Sequence, residues 1–109
     1  MRIFNEEVFE PVLSVIRWSN REDVTAWANQ IEYGLTASVW SNDLHAAFDT
    51  IGQLHAGYTW INETSSHYLG TNLGGVKNSG VGREEGVDEL LSYTEMKTVN
   101  IITKPVSGS

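Results

Sequence analysis

The sequence predicts an α/β fold built on a parallel βαβαβ sheet with flanking helices, and three observations carry that reading. Short β-branched or aromatic runs recur about 20 residues apart, at Pro11–Trp18, Thr36–Trp40 and Tyr58–Ile61. A helical pattern of apolar residues fills each gap between them. Strands so spaced are joined by right-handed crossovers, because antiparallel neighbours need only a short turn.

Taken in order, Pro11-Val-Leu-Ser-Val-Ile-Arg-Trp18 is apolar and of strand length, and Ser19-Asn-Arg-Glu22 after it fits a helix capping box. Val24, Trp27, Ala28 and Ile31 then recur at helical spacing until Tyr33-Gly34, where glycine is free to take a left-handed cap. Thr36-Ala-Ser-Val-Trp40 is the second strand. Ser41-Asn-Asp43 caps the next helix, whose apolar face is Leu44, Ala47, Phe48, Ile51 and Leu54. It stops before Gly57, and Tyr58-Thr-Trp-Ile61 forms the third strand.

From Glu63 to Gly82 the chain is rich in Ser, Thr, Asn and Gly, a loop too long for a mere connector. A third helix is expected to start near Arg83 to Gly86 and to bury Val87, Leu90 and Leu91. Glu84, Glu85, Asp88 and Glu89 suit its first turns, where the helix dipole favours negative charge. Lys97 to Thr103 reads as a final strand, and Pro105 to Ser109 as a frayed tail.

Composition narrows the function. The chain has 109 residues, enough for one domain with a modest core. Its formal charge of -7 is the wrong sign for a phosphate-neutralising surface, so nucleic acid is not an expected partner. No run approaches a membrane span and the N-terminus has no apolar signal core, so a soluble cytoplasmic protein is expected. With zero cysteines there is no disulfide, no thiolate metal site and no thiol nucleophile.

The glycine-rich run Leu73-Gly-Gly-Val-Lys-Asn-Ser-Gly-Val-Gly-Arg-Glu84 matches no phosphate cradle. Gly70 and Gly75 have Walker spacing, but Val76 stands where the lysine must be. Gly80-Val-Gly82 reaches Gly86 one residue too late for a dinucleotide fingerprint. His45, His55 and His67 are isolated, and no metal set is expected. On local chemistry Glu6 and Glu7 are a solvated lead-in, and Trp60 is core packing.

An ordered series of motifs does more. Glu6-Glu-Val-Phe-Glu-Pro11, Asn29 with Tyr33-Gly-Leu35, Ala37-Ser-Val-Trp40, Gly57 with Trp60-Ile-Asn62, the glycine run, and Tyr93-Thr-Glu-Met-Lys-Thr98 follow one another along nearly the whole chain. The series resembles the C-terminal part of the NAD(P)-dependent aldehyde dehydrogenases. In that family a cysteine thiolate attacks the aldehyde, hydride passes to the nicotinamide, and a glutamate-activated water releases the acid. The resemblance implies that residues 1–96 are the end of a catalytic domain and 97–104 the last oligomerisation strand, ahead of the 105–109 tail.

It further implies that Glu7 accepts hydrogen bonds from the nicotinamide ribose and that Phe9 packs beside the nicotinamide. Thr64 to Leu73 would line the substrate entrance, with His67, Tyr68 and Leu73 singled out. Arg83 and Glu95 match charged positions near subunit contacts, and Val99 and Ile101 lie on the strand that adds to a neighbouring subunit's sheet. Glu10 departs from the glycine usual before Pro11, and Asn72 and Leu73 from a common proline and aromatic.

No catalytic residue is expected in the chain itself. Three expectations follow: a piece of such an enzyme that is inactive alone and binds neither NAD nor NADP tightly; a module that forms a homo-oligomer or docks onto a full-length homologue; or a weak nucleotide binder using Glu7 and Phe9.

Overall fold

The best-formed part of the computed structural model is a parallel βαβ unit, and its residues follow directly from local chemistry. Residues 2–104 and Ser107 are described. A first short helix, α1 (Arg2–Asn5), precedes an extended segment. The helix α2 (Arg21–Gln30) starts where the Asn20 side chain accepts from the Glu22 and Asp23 amides at 2.8 and 3.4 Å. Asn20, not Ser19, is therefore the cap.

Strand β1 (Tyr33–Gly34) is followed by β2 (Thr36–Val39), helix α3 (Leu44–Gln53) and β3 (Tyr58–Ile61). Asp43 caps α3 by accepting the Ala46 amide at 3.0 Å, as its position requires. Strands β2 and β3 pair in parallel from Thr36↔Tyr58 to Val39↔Ile61, with α3 as the crossover. Asn62, at φ 58°, then ties back to Ser41 by two hydrogen bonds of 2.8 and 3.0 Å. Its amide continues the ladder in place of the backbone.

Helix α2 ends at Ile31, so Gly34 is not its left-handed cap. Gly34 instead sits in β1, which pairs antiparallel with β4 (Val76–Lys77) inside the glycine-rich loop. The Lys77 ammonium donates to the carbonyls of Asn29 and Ile31 at 2.8 and 2.9 Å, a cation on the negative end of the helix. Asn29 also joins α2 to the α3–β3 connection, donating to the Gln53 carbonyl and accepting the His55 amide at 2.8 Å each.

Several expected elements differ. Residues 11–18 carry no strand, and neither do 97–103. An extended segment becomes a strand only when a neighbour satisfies its N–H and C=O groups, and none of the described residues does so here. The parallel arrangement is accordingly one β2–α3–β3 unit rather than βαβαβ. The final helix, α4 (Val87–Ser92), leaves Val87, Leu90 and Leu91 exposed instead of burying them. The expected tail at 105–109 lies outside the described residues except at Ser107.

The core is correspondingly small: among the described residues Ala47, Tyr58 and Trp60 are its buried hydrophobic side chains, and Thr25 on α2 is the buried polar one. On α3 only Ala47 is fully covered, while Leu44 and Phe48 face outward. The Cα radius of gyration is 22.1 Å, against the ~13 Å of a compact domain of about 100 residues. Leu13, Val15, Leu69, Val81 and Met96 are each more than four-fifths exposed. The polypeptide thus presents apolar faces far beyond those a monomer of this size ordinarily shows.

Candidate functional site

Two regions carry the residues singled out in the sequence. The first is the segment after α1, where Glu7 and Phe9 line one open hollow of ≈ 570 Å³ together with Glu6, Glu10 and Pro11. Phe9 adopts φ 57° and its ring is 88% exposed. A left-handed backbone at a bulky aromatic residue is uncommon and persists where the surroundings hold it. The strained residue is thus Phe9 itself, and Glu10 is not among the residues of positive φ.

Glu7 also borders a second hollow with Asn29, Tyr33, Gly34 and His55. The charge of Glu7 reaches Tyr33, whose phenol is held above its ordinary range first by the Glu32 carboxylate, then by burial and by Glu7. Glu7 therefore stands at the junction of both hollows. Two acceptor oxygens there match a vicinal diol, and an exposed flat ring two residues away matches a heteroaromatic ring. The pair of acceptor oxygens and the exposed ring would suit a sugar diol carrying a flat heterocycle.

The second region is the segment from Glu63 to Glu85, which is ordered by its own polar contacts. Ser66 Oγ and Tyr68 Oη donate to the two oxygens of Glu63 at 2.5 and 2.8 Å. The Trp60 indole donates to the Ser66 carbonyl at 2.8 Å, and the Tyr58 hydroxyl bonds Thr71 at 3.0 Å. Leu73 forms a two-bond antiparallel bridge with Glu84. The Asn72 amide donates to Asp88 at 2.9 Å. The loop is clamped at both ends.

His67 lies in this region with its ring stacked on Tyr58, 5.8 Å between centroids, and its Nδ1 2.9 Å from Glu85 Oε1. Tyr68 is half exposed beside Tyr58, Trp60 and Thr71, and these residues line a shallow hollow of ≈ 320 Å³. Leu73 lines a different one, with Leu35, Arg83 and Tyr93. The structure therefore brings His67 into one ring cluster with Tyr58 and Trp60, sets Tyr68 on the hollow those two line, and places Leu73 apart from them. Sequence reasoning missed Glu85 and Tyr58, whose partners lie 18 and 13 residues away, beyond any local period.

Arg83 donates to the carbonyls of Gly75 and Gly82 at 2.8 Å each, which makes it an internal strut of the glycine loop. It forms no ion pair with Glu95 among the described residues. Val99 and Ile101 are exposed on the extended C-terminal segment. Among the described residues no cluster of His, Cys, Asp or Glu could hold a metal ion, and no helix is long and apolar enough to cross a membrane.

The Glu63 carboxyl is held below its ordinary 4.5, chiefly by the Ser66 hydroxyl and next by Tyr68, partly offset by burial. Its contribution is therefore present at and above that value and is lost as pH falls through the lowered one. Tyr68 is shifted up from 10.0 mainly by its hydrogen bond to Glu63, so its share is present below that value and lost as pH rises through the raised one. The Trp60 indole proton, bonded to Ser66, should hold one NMR position from pH 9 down to about 4.5 and move below it. A Glu63→Gln chain should lack that acid step, and an indole signal whose response to acid is the same in both chains contradicts the assignment.

An open hollow at Glu7 and Phe9, a clamped loop and uncovered apolar faces are the features of an α/β unit with large unpartnered surfaces. The family model for the aldehyde dehydrogenase family matches residues 1–99, and this chain belongs to that family. It is 46% identical over 101 residues to the aldehyde dehydrogenase tropH of Talaromyces stipitatus, covering 93% of this chain and 20% of that protein. The betaine aldehyde dehydrogenase of Brucella melitensis is 43% identical over 101 residues, 93% of this chain and 21% of the relative. The NAD+ complex of an aldehyde dehydrogenase from Bacillus cereus superposes with a TM-score of 0.86 at 38% identity, over 95% of this chain and 21% of that one. The chain thus spans about a fifth of the length of these relatives.

Proposed function

We propose that these residues are the C-terminal portion of an NAD(P)-dependent aldehyde dehydrogenase, supplying the nicotinamide-side wall and the substrate wall but not the nucleophile. The observation that carries the reading is that Glu7 and Phe9 share one open hollow, with Phe9 exposed beside the Glu7 carboxyl group. Glu7 accepts the ribose hydroxyls and so fixes the sugar; Phe9 bounds the nicotinamide on one side. The cofactor's own contribution is a hydride acceptor for the oxidation of an aldehyde to a carboxylic acid. Residues 64–73 shape the aldehyde's path.

Lys97 to Ile102, with Val99 and Ile101, adds to a neighbouring subunit's sheet in the assembled enzyme. Unpaired backbone and exposed apolar side chains along that segment support this part of the reading. The assembly is a homo-oligomer, and residues 1–96 and 97–104 are its catalytic and oligomerisation portions.

A split of kinetic constants tests the assignment. The chain is co-expressed with the cysteine-bearing remainder of a close relative, and steady-state rates are measured. Glu7→Gln should raise the KM for NAD about tenfold, the cost of one charge-assisted hydrogen bond, while leaving the KM for aldehyde unchanged. Leu73→Ala should move the aldehyde KM alone. Equal effects of Glu7→Gln on both constants would remove Glu7 from the cofactor site.

A further inference from the structure

Resting on the reading of residues 64–73 as the substrate wall, we infer that Glu85 positions His67, and that His67 thereby selects aldehydes bearing a hydroxyl group. Glu85 is built for one geometry. Its backbone sits at φ 64°, a conformation that costs a branched or long side chain energy unless the surroundings demand it. Its amide donates to Glu89 Oε2 at 2.8 Å and its carbonyl accepts the Gly70 amide at 2.9 Å, so the backbone is fixed from both sides. Its Oε1 meets His67 Nδ1 at 2.9 Å, and its Oε2 is buried with no hydrogen-bond partner. A loop that only had to close would not need a carboxylate with one oxygen shut away from solvent on a left-handed residue.

The carboxylate accepts and cannot donate, so in the neutral imidazole the proton must sit on Nδ1. Nε2 is then a bare acceptor. Stacking on Tyr58 holds the ring plane, with an interplanar angle of 24°, while the side chain stays 44% open. Nε2 has no protein partner among the described residues. Stacked on Tyr58, which lines the hollow shared with Trp60, Tyr68 and Thr71, such an acceptor rewards a ligand that brings an O–H and gives nothing to the same ligand capped as an ether. A site built to hydrogen-bond a hydroxyl rejects the analogue lacking it far better than an apolar wall can.

The test uses the full chain labelled with nitrogen-15 at histidine, and two probes, 4-(hydroxymethyl)benzaldehyde and 4-(methoxymethyl)benzaldehyde, at pH 8. The His67 ring should show a protonated Nδ1 and a bare Nε2. The hydroxymethyl probe should shift Nε2 and bind about tenfold more tightly than its ether, the worth of one well-aligned hydrogen bond. Glu85→Asn tolerates the left-handed backbone but is too short to reach His67. It should move the proton to Nε2 and erase the preference while the Tyr58–His67 ring contacts persist. His67→Phe, which keeps a stacked ring without nitrogen, should erase it too.

A bare Nδ1 in the parent chain overturns the positioning role. Equal binding of the two probes, with loop resonances moving, overturns the selection and leaves the substrate wall standing. If neither probe moves any resonance of residues 63–73, the substrate-wall reading itself fails and the selection falls with it.

Discussion

Given NAD and an aldehyde but no other protein, the chain forms no NADH above the rate of buffer. The family's covalent route needs a thiolate, and there is no cysteine among the 109 residues. Serine and threonine hydroxyls are present, but none is hydrogen-bonded to a histidine that could take its proton, as far as the described residues show. Loss of a nucleophile costs a triad enzyme about 10⁶ in kcat, and the absent cofactor walls add to that. The measurement is absorbance at 340 nm with millimolar NAD and aldehyde. A sustained rate abolished by Glu7→Ala contradicts the account.

Gly57→Ala unfolds the chain or lowers its stability by about 3 kcal/mol or more, because the added methyl has nowhere to go. A Cβ at Gly57 would fall on the carbonyl of Gly74, and one at Gly74 would fall on the carbonyl of Gly82 and the Arg83 side chain. Three backbones are stacked edge on edge there. None of the colliding atoms at Gly57 belongs to a side chain that could rotate away. This close approach seats the glycine-rich loop against the start of β3, which is the structural use of those glycines.

Gly52→Ala is the matched control: it lies inside α3 with open space around it. That change should be neutral or stabilising by up to ~1 kcal/mol through helix propensity and unfolded-state entropy. Urea denaturation of both variants reads the difference. Equal midpoints would mean that the Gly57–Gly74 approach is absent in solution.

The parts of the fold that were legible in the sequence are those whose signals are local. Asp43 before an apolar period announces α3, and the short β-branched and aromatic run Tyr58-Thr-Trp-Ile61 announces β3. Even the slip of one residue at α2, Asn20 for Ser19, keeps the element and loses only the identity of its cap. What was not legible depends on distant partners. Strand β4 is two residues long and contains a lysine at φ 53°, so neither length nor propensity marks it; only its pairing with Tyr33 and Gly34 makes it a strand.

The opposite error has the same cause. Residues 11–18 and 97–103 read as strands because their side chains suit a sheet, and Leu44, Phe48 and Leu90 read as core because they suit a helix face. Pattern shows what a surface is suited to meet, not whether the partner lies in the same described residues. At the candidate site, Glu7 and Phe9 are ordinary surface residues by composition and stand out only through the resemblance and through the hollow they share. The His67–Glu85 pair joins residues 18 apart in sequence and follows no helical or strand repeat.

The most direct test of the central claim is reconstitution. The chain is co-expressed with the portion of the Talaromyces stipitatus relative that lies outside the 101 matched residues, the complex is purified, and NADH formation is followed with aldehyde. The complex should be active and either part alone inactive, and Glu7→Ala should lower the rate at sub-saturating NAD about tenfold or more. A stable complex that is inactive, or one whose activity ignores Glu7, would contradict it.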